Sequence, residues 1–146
     1  MRSGRASATR LARGRSSLDD LEFVMLTEAH TILPAADLGR FRGYYHDMLG
    51  LDPSEEHDGM LVYGAGGSAF EVYETENVGT AKNTQMVWMI DDLDAEMARM
   101  RDAGVVFEDF EIPGVRTQNG VAETPEMRSA WFRDSEGNIL CVSQRR

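Results

Sequence analysis

Apolar and polar residues alternate from Glu28 to Pro34, placing His30, Ile32 and Pro34 on one side of a strand and Thr31, Leu33 and Ala35 on the other. At Asp37 the period changes. Leu38, Phe41, Tyr45, Met48 and Leu49 recur at steps of three and four, the stripe of a helix buried along one side. Asp37 suits the N-cap, where a carboxylate accepts from free helix N–H groups, and Gly50 suits the left-handed stop. Turn chemistry then separates short strand-like runs: Asp58-Gly59 before Met60–Tyr63, and Gly64 to Gly67 before Ser68–Thr75. In the second run Glu71 and Tyr73 share a face opposite Phe70 and Val72.

The second half repeats this order. A strand is predicted over Gln85–Ile90, and a helix from Asp91 or Asp92 with Leu93, Met97 and Met100 as its stripe and Gly104 as its stop. A strand over Val105–Ile112 follows, then a long loop carrying Pro113-Gly114, Asn119-Gly120 and Pro125. Ala130–Phe132, a turn at Asp134–Asn138 and Ile139–Ser143 complete the half. Asp37 and Asp92 are 55 residues apart (92 − 37), and Gly50 and Gly104 are 54 apart (104 − 50). A shared offset across unlike residue pairs marks duplication of one supersecondary unit, βαβββ in each half, and makes His30 and Gln85 equivalent.

The 146 residues suit a single globular domain over 25–146, with modules at about 27–78 and 83–146. Residues 1–24 read as a disordered Arg- and Ser-rich tail, or as residues upstream of a start at Met25. The net charge of −10 argues against nucleic acid or anionic lipid as partner. The longest clean apolar run, Met86–Ile90, is far short of the ~20 residues of a membrane helix. The single cysteine, Cys141, permits no intrachain disulfide and fits a reducing, cytoplasmic setting.

Four blocks carry a resemblance. Leu33-Pro34-Ala35-Ala36-Asp37-Leu38, Tyr44-Tyr45-His46-Asp47-Met48-Leu49-Gly50-Leu51, Phe70-Glu71-Val72-Tyr73-Glu74-Thr75 and Ala130–Leu140 occur in that order. Together they make the chain, over about residues 28–144, similar to the vicinal oxygen chelate superfamily: glyoxalase I, bleomycin-resistance proteins and extradiol dioxygenases. Ser135 stands where that family usually has proline. The resemblance implies an α+β fold of two tandem βαβββ modules, forming a curled, open-barrel mixed sheet around a central cleft with helices outside. It also implies a homodimer, and four metal-ligand positions that fall here on His30, Glu71, Gln85 and Cys141.

His30, Glu71 and Gln85 offer nitrogen, carboxylate and amide donors suited to Zn, Ni, Mn or Fe. Cys141 replaces a carboxylate; a buried thiol without a cationic neighbour stays protonated, and Cys141 reads as a small apolar core group. His30 and Glu71 also have a metal-free reading, as a hydrogen-bonded polar pair with Glu71 a candidate base. His46 and His57 read as surface residues, and Asp91-Asp92-Leu93-Asp94 as favourable charge at a helix N-terminus.

Alternation adds Ile32, Tyr73, Val87, Met89 and Trp131 to the cleft, largely apolar and aromatic as small-molecule sites usually are. The loop from Pro113 to Met127 is long enough for a lid, and Arg116 or Arg128 could meet an anionic ligand. Two functions stay open. One is a small-molecule-binding protein with no cofactor, acting in sequestration or as an accessory in small-molecule metabolism. The other is a metal-dependent glyoxalase-type lyase, isomerase or epimerase using His30, Glu71 and Gln85. Neutral Gln85 and Cys141 favour the first, intact His30 and Glu71 the second, and the balance falls to binding without metal.

Overall fold

A computed structural model describes residues 25–146; the tail expected over 1–24 lies outside the described residues. Strand β1 (Thr31–Ala35) runs parallel to β4 (Ser68–Glu74), with Ile32 opposite Glu71. Antiparallel pairing adds β3 (Met60–Ala65) and β2 (Glu55–His57), giving the order β1-β4-β3-β2. The second half is laid out in the same way. Strand β5 (Met86–Met89) runs parallel to β11 (Ile139–Arg145), with Val87 opposite Cys141. Next to β11 lies β10 (Met127–Arg133), and against β10 lies β6 (Phe107–Glu108). Ile32 and Val87 are 55 residues apart (87 − 32), so the duplication read from the sequence holds in the backbone pairing.

Each first strand leads into a helix capped as expected. Asp37 accepts from the Arg40 N–H (2.9 Å) to start α1 (Leu38–Tyr44), and Asp92 accepts from the Ala95 N–H (3.0 Å) to start α2 (Leu93–Ala103). Helix α1 widens at its end into a π-helical turn over Tyr45–Leu49. Gly50 (φ 70°) and Gly104 (φ 113°) end the two helical stretches in the left-handed conformation that glycine adopts without strain.

The second module departs from the first after β6. The expected strand to Ile112 breaks, and the expected loop from Pro113 to Met127 is a meander: β7 (Glu111–Ile112), β8 (Val115–Gln118) and β9 (Val121–Glu123). Its physical reason is in the dipeptides. Asn119 and Gly120 both have positive φ (53° and 82°), the signature of a two-residue hairpin turn, which joins two strands rather than two ends of a loop. Strand β9 extends the sheet from the edge of β10, so this segment is built into the sheet instead of forming a free lid.

The two mixed sheets do not close on one another; they share one core through their buried faces. Leu33, Val72, Tyr63 and Phe70 of the first sheet and Phe132, Leu140 and Val142 of the second are buried, together with Phe41 and Tyr45 of the first helical stretch and Leu93, Met97 and Met100 of α2. Trp88 joins the halves, with its ring 5.9 Å from Phe70, 6.5 Å from Tyr45 and 6.3 Å from Phe132. The architecture is α+β, two mixed sheets and two helices: the first module is βαβββ, and the second keeps that order with the β7–β9 meander inserted between β6 and β10.

Candidate functional site

Because the core takes one face of each sheet, alternation turns the other face to solvent. On the first sheet, residues opposite one another in register share that face. One row reads Ile32, Glu71, Val62, Glu55, and the next reads Pro34, Tyr73, Met60, His57. On the second sheet the matching row is Val87, Cys141, Trp131, Glu108, with Met89, Ser143 and Ser129 beside it. Four large apolar side chains from these rows are exposed: Ile32 at 50%, Tyr73 at 44%, Val87 at 47% and Met89 at 42%. The sequence assigned all four to the cleft. In one chain they lie on two separate open faces.

His30 stands just before β1, with Nδ1 3.5 Å from Glu71 Oε2 and Nε2 3.1 Å from Glu28 Oε2. His30 and Glu71 therefore come within ion-pair distance rather than into the hydrogen bond expected of them, with Glu28 as an additional carboxylate. Gln85 occupies the matching place before β5, but its amide is engaged elsewhere. Oε1 accepts from the Ile139 N–H (2.8 Å), and Nε2 donates to Asn138 Oδ1 (3.1 Å). Cys141 is buried at the base of the second face, 3.3 Å from Ser143 Oγ, and burial pushes its thiol pKa up. Ser143 continues to Ser129 (2.7 Å), and the Trp131 indole N–H donates to Thr84 Oγ1 (2.9 Å) under the edge of Phe110.

This donor set does not fit a four-ligand metal site. Both ends of the Gln85 amide are held, by the Ile139 N–H and by Asn138 Oδ1, and the Cys141 thiol is bonded to Ser143 Oγ, so neither side chain is poised as a ligand. Among the described residues, no three His, Cys, Asp or Glu side chains come together in a group able to hold a metal ion. His46 pairs at the surface with Asp52 (2.7 Å) and His57 with Glu55 (3.2 Å).

Sequence reasoning missed the polar junction that holds the two modules in register. The turn between β10 and β11 presses against the start of α1. Glu136 accepts from the Ala36 and Asp37 N–H groups (2.9 and 3.1 Å) and from Arg40 (2.8 and 2.9 Å), and Ser135 Oγ donates to it at 2.8 Å. The Arg40 bonds, more than any other partner, hold its carboxyl pKa down to about 2. Asp134 accepts from the Tyr45 hydroxyl (2.8 Å) and Asn138 donates to the Pro34 carbonyl (3.1 Å). Burial outweighs those bonds at Asp134 and raises its pKa. The sequence also missed Glu55, Val62 and Met60 on the first face. The two-residue turn Asp58-Gly59 carried the signal, since it sets His57 opposite Met60 and hence Glu55 opposite Val62.

Two cavities lie beside the faces. One, of about 400 Å3, is lined by Leu49, Leu51, Trp88, Ile90 and Met100 and opens next to Val87 and Met89. The other, of about 480 Å3, lies between α2 and the β8–β9 hairpin and carries Arg101, Arg116 and Arg128. There Arg128 is engaged by Asp94 (2.9 Å) and Glu123 (3.1 Å).

Comparison with known proteins agrees with this fold. The family model described as Glyoxalase/Bleomycin resistance protein/Dioxygenase superfamily matches residues 28–142. Among solved structures, a putative glyoxalase family protein from Bacillus anthracis is similar at TM-score 0.66 and 13% identity, over 84% of this chain and 98% of that one. The fosfomycin resistance protein FosX from Listeria monocytogenes is similar at TM-score 0.61 and 14% identity, over 83% and 94%. A protein from the mobile metagenome of V. Pseudocholerae is similar at TM-score 0.58 and 25% identity, over 84% and 98%. No curated protein matches the chain.

Proposed function

The chain belongs to the glyoxalase/bleomycin resistance protein/dioxygenase superfamily, and from that premise we propose that it binds a small, largely apolar molecule in a cleft that two copies build together, without a resident metal. The observation that carries this is the exposure of Ile32, Tyr73, Val87 and Met89 on two sheet faces whose opposite sides are fully committed to the core. Exposed apolar side chains gathered on sheet faces are the usual mark of a binding or association surface. The first-module face of one copy, laid over the second-module face of another, would bury both and enclose Ile32, Tyr73, Val87, Met89 and Trp131. Two-fold symmetry makes two such clefts per dimer. The alternative, a metal-dependent lyase, isomerase or epimerase, draws support from the His30–Glu71 pair at 3.5 Å. The Gln85 amide, engaged at both ends, and the Cys141 thiol, buried and bonded to Ser143, weigh against it.

A mixing experiment tests the shared cleft. Tyr73→Ala spoils the first-module face and Trp131→Ala the second, so each variant alone should lose ligand-induced stabilisation in a thermal-shift screen of apolar molecules. A heterodimer of the two has one cleft with both faces spoiled and one with both intact, and mixing should restore binding. A cleft formed within one chain predicts no restoration, which would overturn the proposal.

A further inference from the structure

Resting on that reading, we infer that the ligand is a cation: an aromatic or aliphatic body carrying an amine or quaternary ammonium group. The inference comes from the charges on the first face. Glu71 lies between Ile32 and Val62 in its row, and Glu55 stands one strand further on, about 10 Å away at the usual strand spacing. Among the described residues no lysine or arginine stands on these two rows, and the one polar partner of Glu71 is His30. His30 is shared with Glu28, so this cluster of two carboxylates and one imidazole is net negative whether or not the imidazole is protonated.

The opposing face does not supply the missing charge. Its row holds Val87, a neutral thiol and Trp131, and its Glu108 is already neutralised by Arg133 at 2.9 Å. Ser129 and Ser143 are neutral and bonded to each other. Arg145 stands on this face only at the far end of β11. Closing the cleft therefore strips water from a cluster whose two carboxylates share one imidazole, which is unfavourable unless the ligand brings positive charge. Tyr73, next to Glu71 on the same face, offers an aromatic surface to an ammonium group. An anionic ligand would meet repulsion at the same place.

Three probes with one indole body separate the possibilities: tryptamine, tryptophol and indoleacetate, titrated calorimetrically into the full chain. Tryptamine should bind about tenfold more tightly than tryptophol, the size of one charge-assisted contact, and indoleacetate most weakly. Glu71→Gln should bring tryptamine to the level of tryptophol and leave tryptophol unchanged. Glu55→Gln, an exposed position, should narrow the gap in part, and added salt should narrow it further. Tryptophol or indoleacetate binding as tightly as tryptamine would overturn the cation while leaving the apolar cleft intact. Equal weakening of all three by Glu71→Gln would also overturn it, since that is the mark of a structural role. Binding of none of the three, at any salt, would overturn both the cation and the cleft.

Discussion

The Glu136 carboxylate and the Arg40 guanidinium meet in a two-pronged pair, at 2.8 and 2.9 Å, across 96 residues of chain. The pair joins the last turn of the second module to the first helix of the first, and Glu136 is fully buried while Arg40 remains half exposed. It stands beside the backbone N–H groups of Ala36 and Asp37, so one side chain fastens the modules and neutralises the start of α1.

That arrangement sets an acid limit on stability. The Glu136 pKa in the folded chain, about 2, lies below its ordinary value of 4.5, so the stabilisation is complete above 4.5 and is lost as the pH falls toward 2. Glu136→Gln should lower stability by about 2 kcal/mol at neutral pH. It should also flatten the dependence between these limits, as read from denaturant melts at a series of pH values. An unchanged acid limb would show that the junction does not carry it.

Gln85 should behave as a structural residue. Gln85→Ala leaves the Ile139 N–H without its acceptor and Asn138 Oδ1 without its donor. The expected loss is about 1–2 kcal/mol, seen in thermal and chemical melts with no ligand present.

The exposed faces predict the state of assembly. Ile32→Asp or Val87→Asp places a charge on a surface that is proposed to be covered, and each should shift the chain from dimer to monomer in sedimentation at micromolar concentration. Neither side chain belongs to the core, so far-ultraviolet circular dichroism should stay that of the wild type. A wild-type chain already monomeric would count against the paired cleft.

Metal should prove dispensable. Protein purified without chelator, then dialysed against Zn, Ni, Mn or Fe(II), should retain less than stoichiometric metal, and chelation should leave the melting temperature unmoved. Stoichiometric metal lost in His30→Ala would favour the lyase, isomerase or epimerase reading instead.

Cys141 should be slow to react. Its buried thiol, with a raised pKa, should resist a thiol reagent in the native chain and be modified quickly in denaturant.

The repeat, the helix limits and the apolar side of the main strands were legible in the order of residues along the chain. These are local consequences: the change in period at Asp37 and Asp92, the caps there and the glycine stops depend on neighbours a few residues away. They also selected Ile32, Tyr73, Val87, Met89 and Trp131 as face residues, because alternation in a strand fixes direction once the core side is known. Packing between the two halves set the rest. Asn119-Gly120 announced a turn, but only its neighbours β8 and β9 made the supposed loop a sheet extension. Gln85 matches His30 in sequence, yet the approach of the Asp134–Asn138 turn gives its amide other partners. Whether two apolar sheet faces oppose each other in one chain depends on how the modules pack. Here the shared aromatic core around Trp88 takes up their other sides and leaves both open. Spacing along the chain carries no record of that choice, because it is made by long-range burial of side chains from both halves at once.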